Sequence, residues 1–282
     1  MDYVFFGTPA PAAIALEELI KSGYIPAAVV TNPDAPAGRK RIMTAPAVKQ
    51  LISKLSPATP VFQPEKITAD FLDKLKKVKA DIYVIASYNK ILPQTLLDIP
   101  KYGAINIHPS LLPKYRGPSP VPSAILNGET ETGVTIFKLD AQMDHGPMFH
   151  SCKAKIDPED NTPSLLEKLF RLGADMLSRD IFPNIDSLSL IPQDESETTY
   201  TKKFATSDGY IEYRDIQKAQ TDSKELASVI DRKIRALYPE PGCWTMKSNM
   251  RIKILDSKLE KGLLKIKIIQ KEGRNPTSAE II

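Results

Sequence analysis

Apolar and polar positions along the chain fall into short blocks that change period at turn residues. Tyr3-Val4-Phe5-Phe6 is a continuous apolar run closed by Gly7-Thr8-Pro9, the pattern of a strand buried on both faces. Ile14, Leu16, Leu19 and Ile20 recur at near-helical spacing up to Gly23, a helix stop, and Ile25 to Thr31 reads as the next strand. Asn32 to Thr44 carries the Pro, Gly, Asn and Asp of a long exposed loop, and Thr44 is placed to cap a helix through Val48, Leu51, Ile52 and Leu55. Pro60-Val61-Phe62 predicts a short strand. A helix opening at Thr68 or Ala69 runs through Phe71, Leu72 and Leu75. Asp81 to Ala86 is a strongly apolar strand, the best candidate for the centre of a sheet. Strand, helix and strand in alternation predict a mostly parallel α/β sheet of Rossmann-like type.

The stretch from Tyr102 to Gly117 breaks that pattern. Ala104, Ile105 and Ile107 are strand-like, but Asn106 and His108 stand between and after them, just ahead of Pro109. Side chains two apart on a strand share a face, so an amide and an imidazole project together where the proline ends the ladder. In open α/β sheets such strand ends border the ligand cleft. The alternative makes Asn106 a turn cap and His108 a rim histidine.

Beyond it, Val121, Ile125 and Leu126 mark a short helix ending at Gly128, and Glu131 to Leu139 predicts a strand that delivers the polar turn Asp140 to Pro147. Met148 to Ile156 is a return strand. A helix capped by Asn161 or Thr162 follows, with Leu165, Leu169, Phe170 and Leu177 on it. Residues 188–203 are polar and aperiodic, which sets the expected organisation: 1–187 as a catalytic domain, 188–203 as a linker, 204–282 as a second domain. That second part shows a helix through Leu226, Val229, Ile230, Ile234 and Leu237, then short strands at Cys243–Met246, Ile252–Leu255 and Leu263–Ile269, consistent with a small β-rich barrel.

Composition changes this picture in few places. The 282 residues, 42% hydrophobic and 26% charged, fit two globular domains. No apolar run reaches membrane-spanning length, and the N-terminus lacks the basic and apolar regions of a signal peptide. Cys152 and Cys243 form no CxxC pattern and read as reduced thiols of a cytoplasmic protein; with three histidines, no metal site is expected. Gly7 stands alone, without the GxGxxG of dinucleotide binding. The net charge of +4 resides wholly in residues 204–282, which hold fifteen Lys/Arg against eleven Asp/Glu. Either a polyanionic partner or a solvated lysine-rich surface accounts for it. Arg39-Lys40-Arg41, three consecutive cations, require solvent or a nearby anion.

Asn106, His108 and a carboxylate from the 140–147 turn satisfy the logic of a proton-transfer site. Imidazole exchanges protons near neutral pH, a carboxylate orients it, and an amide donates to an oxyanion. With no GxSxG and no Walker loop, the nucleophile belongs to the substrate, which points to direct acyl transfer onto an incoming amine.

Asn106-Ile107-His108 with Ser110-Leu111-Leu112-Pro113-Lys114-Tyr115-Arg116-Gly117, then Met143-Asp144-His145-Gly146-Pro147, resemble the signature of folate-dependent formyltransferases. Val4 to Pro9, Asn32-Pro33-Asp34 to Gly38-Arg39, Phe62 to Lys66, Arg235-Ala236-Leu237 with Pro239 to Gly242, and Gln270 to Gly273 extend the resemblance over nearly the whole chain. It is closest to members that formylate initiator methionyl-tRNA with 10-formyltetrahydrofolate and need no metal. The resemblance implies that Asn106 polarises the formyl carbonyl, His108 moves a proton or holds the oxyanion, and Asp144 orients His108. It further implies a folate site at Ile85, Ser87, Tyr88, Ile91, Leu92, Ser110, Leu111, Leu112, Pro113 and Asp140. Arg39, Lys40, Arg41, Arg116 and Gly117 would meet tRNA, and a monomer is expected. The resemblance implies an OB-like barrel for 204–282 that grips tRNA by charge; Asn89 stands where the family usually has glycine, His145 where threonine is usual, and the stretch 251–270 is short for that barrel. Competing expectations are a small acceptor (glycinamide ribonucleotide, an amino sugar or water) or a non-catalytic RNA-binding protein.

Overall fold

A computed structural model describes residues 1–38 and 40–279. In chain order its elements are β1 (Tyr3–Gly7), α1 (Ala10–Lys21), β2 (Ala28–Val30), β3 (Ala35–Ala37), β4 (Ile42–Thr44), α2 (Ala47–Leu55), β5 (Val61–Phe62), α3 (Ala69–Val78), β6 (Ile82–Ala86), α4 (Gln94–Leu97) and β7 (Ala104–His108). They continue as α5 (Pro120–Asn127), β8 (Glu131–Lys138), β9 (Met148–Lys155), α6 (Thr162–Met176), α7 (Tyr213–Thr221), α8 (Lys224–Leu237), β10 (Cys243–Lys247), β11 (Met250–Glu260), β12 (Leu263–Lys271) and β13 (Thr277–Ser278). No helix among the described residues is long and apolar enough to cross a membrane.

Contacts divide the chain into two compact units, neither continuous in sequence. The first comprises 1–116, 133–154 and 167–199; the second comprises 117–132, 155–166 and 200–282. The contiguous domains expected from the sequence differ from this division, because two short segments from the first 187 residues join the later unit.

The first unit is built on a seven-stranded sheet in the order β5-β2-β1-β6-β7-β8-β9. β5, β2, β1, β6 and β7 run parallel and β8 antiparallel to β7. β6 holds the fourth of seven positions, and every residue of β1 and β6 is buried, as continuous apolar runs in a doubly covered sheet require. Val4, Phe6, Tyr83, Ile85 and Ala104 pack on one face with Phe71 and Leu75 of α3. A Cβ on Gly173 of α6 would stand 2.5 Å from Ile107 and 3.2 Å from Val134, so α6 closes directly on this part of the sheet. That approach occupies the face bearing Ile107, leaving Asn106 and His108 on the other.

Several expectations need correction. The second strand covers only Ala28–Val30, and Ile25 is 57% exposed. The loop Asn32–Thr44 contains an antiparallel hairpin, β3 with β4, registered Ala35↔Thr44 and Ala37↔Ile42. Its side chains are exposed on both strands, so no apolar alternation marked it. Thr44 does not cap α2; its hydroxyl donates to the Ile42 carbonyl, and Pro46 occupies the cap. Thr68 does cap α3, accepting from Phe71 N–H. Asn161 accepts from Ser164 N–H ahead of α6.

The second unit joins α5, α7 and α8 to a four-stranded antiparallel sheet, β10-β11-β12-β13. Ile252, Ile254, Leu264 and Ile266 alternate with exposed residues and face Ile230, Ile234 and Leu237 of α8 in one core. The described strands form an open sheet, and a bulge between Ile254 and Asp256 bends β11. Helix α7 lacked a sequence signal because only Ile216 and Ala219 of its nine residues are buried.

Candidate active site

β7 delivers the site. It lies between β6 and β8, with Asn106 level with Ile85 on one side and Phe137 on the other, and His108 level with Thr135. Asn106 is half-buried, and among the described residues no protein group bonds its amide. His108 is 4% exposed, with its ring edge-on to Phe137 at 6.2 Å between centroids.

After His108 the chain folds back in a tight turn. Ser110 N–H donates to the His108 carbonyl (2.9 Å), and Ser110 Oγ donates to the Lys114 carbonyl (2.7 Å). Thr135, fully buried on β8, donates its hydroxyl to the Ser110 carbonyl (2.8 Å) and accepts from Leu112 N–H (3.1 Å). The turn brings the Tyr115 carbonyl to 3.0 Å from His108 Nε2. A carbonyl only accepts, so Nε2 carries the proton. Nδ1 is then the nitrogen turned to Asp144, whose Oδ2 lies 3.8 Å away.

Asp144 comes from the turn joining β8 to β9 and adopts a left-handed backbone, φ +49°. Asp tolerates this conformation better than most residues, but holding it requires support. Two sets of bonds supply that support. Asp140 accepts from Gln142 N–H (2.8 Å) and contacts His145 Nδ1 (2.7 Å), closing the turn on itself. Gln193 Nε2 donates to the carbonyls of Asp144 (2.9 Å) and Gly146 (2.8 Å). Gly146 is obligatory for a steric reason: a Cβ there would stand 1.8 Å from the Lys138 carbonyl oxygen.

Arg116 is corrected. Expected to meet tRNA, it is 1% exposed, with Nε and Nη2 donating to Gln193 Oε1 (3.0 and 2.7 Å) and Nη1 and Nη2 donating to Glu195 (3.1 and 2.7 Å). The Arg116 hydrogen bonds hold the Glu195 carboxyl below the usual carboxylate range. Gly117 is buried with φ +105°. Ser110 is corrected also: it is buried, and its hydroxyl serves the turn rather than a ligand. The segment 188–203, expected as a plain linker, is pinned to the motif. Arg116 N–H donates to the Thr199 carbonyl, Tyr115 N–H to Thr199 Oγ1, and Ile191 pairs with Met148.

The residues expected at the folate split by burial. Ile85, Tyr88 and Leu112 are buried, Leu92 packs on the sheet's core, and Leu111 and Pro113 are half-buried. Tyr88 meets Phe6 edge-on at 5.6 Å, and burial pushes its phenol up to about 12. Ser87 is exposed and left-handed, and Ile91 is 94% exposed, an apolar side chain standing in solvent beside the strand ends. Asn89 uses the side chain a glycine would lack: its Oδ1 accepts from Asn32 Nδ2 (2.9 Å). Lys40 and Arg41 are exposed at the turn of the β3–β4 hairpin, and Arg39 lies outside the described residues. Gln193, Glu195, Thr135 and the Tyr115 carbonyl were not anticipated, and no local pattern in the sequence pointed to them.

The "Formyl transferase" family matches residues 1–181, and "Formyl transferase, C-terminal domain" matches 216–265. The chain is 40% identical to the methionyl-tRNA formyltransferase of Chloroflexus aggregans, over 91% of this chain and 80% of that protein. It is also 40% identical to that of Dictyoglomus turgidum, over 95% and 82%. Among solved structures, the fold matches methionyl-tRNA formyltransferase from Clostridium thermocellum with a TM-score of 0.62 at 15% identity, covering 96% of this chain and 98% of that one. It matches equally an N-formyltransferase from Helicobacter canadensis bound to folinic acid and dTDP-3-aminofucose, TM-score 0.62 at 19% identity, over 92% and 87%. The chain belongs to the formyl transferase family, among its methionyl-tRNA formyltransferases.

Proposed function

We propose that Asn106, His108 and Asp144 transfer the formyl group of 10-formyltetrahydrofolate to the α-amine of methionine on initiator tRNA. The observation that carries this reading is the His108 Nδ1–Asp144 pair at 3.8 Å beside the Asn106 amide, which no protein group bonds among the described residues. Asn106 donates to the formyl oxygen and holds it as the amine attacks and negative charge develops there. The pair takes the proton lost by the amine, while the Tyr115 carbonyl keeps the Nε2 proton and ring orientation fixed. The nitrogen of the folate leaves with a proton, so the pair returns to its starting state.

The folate is proposed to lie over the loop after β6 and the Asp140–Asp144 turn, at the carboxyl ends of adjacent strands. The exposed Ile91 and Met143 there supply apolar surface for an aromatic ring. The hairpin turn with Lys40 and Arg41 is proposed to contact tRNA, and residues 204–282 to add a second, charge-based grip; residues 1–187 hold the chemistry. The family segments at 1–181 and 216–265 support that division.

Purified protein is assayed with 10-formyltetrahydrofolate and methionylated initiator tRNA, with glycinamide ribonucleotide in a parallel reaction. His108→Ala and Asp144→Ala are each expected to lower kcat by about a hundredfold with tRNA binding retained. Near-normal turnover in both variants refutes the site.

A further inference from the structure

The segment between the two sequence-defined domains holds a side chain whose bonding is complete. Gln193 has two amide protons and two carbonyl lone pairs, and all four are engaged. Oε1 accepts from Arg116 Nε at 3.0 Å and Nη2 at 2.7 Å; Nε2 donates to Asp144 O at 2.9 Å and Gly146 O at 2.8 Å. The donor of the first pair is itself immobilised. Arg116 is buried, its guanidinium also donates to Glu195, and its backbone N–H is bonded to the Thr199 carbonyl. One amide therefore ties the strand-end motif to the backbone of the turn that presents Asp144.

The tie falls where it counts for Asp144. That residue has φ +49°, and its carboxylate reaches His108 Nδ1 at 3.8 Å, near the outer limit of an ion pair. A small rotation of the turn separates the two. Closing the turn locally, as Asp140 and His145 do, fixes its shape but not its distance from β7; the Gln193 bridge fixes the distance.

We infer that Gln193 is a positioning residue for catalysis, setting the reach of Asp144 to His108 from the segment 188–203. The inference rests on the reading of Asp144 and His108 given above. It also accounts for an amide in place of a carboxylate. Glu at 193 would still accept from Arg116 through one oxygen, but its other oxygen would replace the Nε2 donor and face the carbonyls of Asp144 and Gly146 as an acceptor that repels them.

Gln193→Glu is therefore the test, assayed in the full-length enzyme with both substrates. The expected result is a kcat lowered by about tenfold or more, KM for folate and tRNA changed by less than about threefold, and a displaced limb in the kcat–pH profile. Urea unfolding follows stability alongside. A merely structural role predicts a lower unfolding midpoint with unchanged kcat and pH profile, and that result overturns the inference. Gln193→Met, similar in size and lacking all four bonds, is expected to show the same kcat loss and serves if Gln193→Glu does not fold. Asp144→Asn separates the two levels. If it keeps full activity, the reading of the site fails and the inference with it. If it loses about a hundredfold while both Gln193 variants keep wild-type kcat, only the inference fails. Added to Asp144→Asn, Gln193→Glu is expected to cost no further kcat, because its effect runs through Asp144.

Discussion

Gly146→Ala tests how tightly the turn that presents Asp144 is held. The substitution adds one methyl group, at 1.8 Å from the Lys138 carbonyl oxygen and 3.0 Å from its carbon. Both neighbours are backbone of a paired strand, so neither can swing aside. Reaching the 3.0 Å that Cβ atoms respect requires the turn to lift by about 1.2 Å. That lift breaks the Gln193 bond to the Gly146 carbonyl (2.8 Å) and the Lys138 N–H bond to the Pro147 carbonyl (2.9 Å). Each is worth about 1 kcal/mol net, and with the residual backbone distortion the expected loss is about 2–4 kcal/mol. The functional effect exceeds the loss of fold. A pair 3.8 Å apart cannot absorb a shift of that size and remain a pair, and misplacement by about 1 Å costs up to about a hundredfold. Urea denaturation reads the first quantity, and initial rates at saturating folate and tRNA read the second. A variant within about 0.5 kcal/mol of wild type and with wild-type kcat would refute the reasoning from steric contact to turn position to rate.

Three further outcomes follow from the same geometry. Thr135→Val preserves shape but orphans Leu112 N–H and the Ser110 carbonyl, both buried, so a destabilisation of about 2–4 kcal/mol is expected by urea denaturation; under about 1 kcal/mol contradicts it. Charge reversal of Lys40 and Arg41 is expected to raise KM for tRNA and flatten its salt dependence while folate use is unchanged; unaltered tRNA use means the hairpin turn is only solvated. Glu195 is held below the usual carboxylate range by Arg116, so its contribution is present above the ordinary Glu value and disappears as pH falls through its lowered one. The stability difference between wild type and Glu195→Gln should thus be largest at pH 7 and vanish in acid, and a difference constant from pH 7 to about 3 rejects it.

The sequence by itself determined the elements that carry their own burial pattern. Tyr3–Phe6 and Ile82–Ala86 are apolar throughout because both sheet faces cover them, and their central positions follow from that. The alternating Ile252, Ile254, Leu264 and Ile266 encode a sheet with one face against helices. Asn106 and His108 were legible for the same local reason, since a two-residue period places both on one face whatever the rest of the chain does. Elements without a burial period were not legible: the exposed hairpin β3–β4 and the largely solvated α7 carry too few buried side chains to leave one.

Only the tertiary structure decided what completes the site. Asp144 faces His108 because β8 returns antiparallel beside β7, and the turn that carries it is bonded to Gln193, 49 residues away, which is bonded in turn to Arg116 across 77 residues. A polar, aperiodic stretch offers no local energetic preference that would reveal such partners. Arg116 shows the physical reason most plainly. Alone, a guanidinium favours water; its burial here is offset by Gln193 and Glu195, which accept hydrogen bonds from it and which no neighbour in sequence could replace.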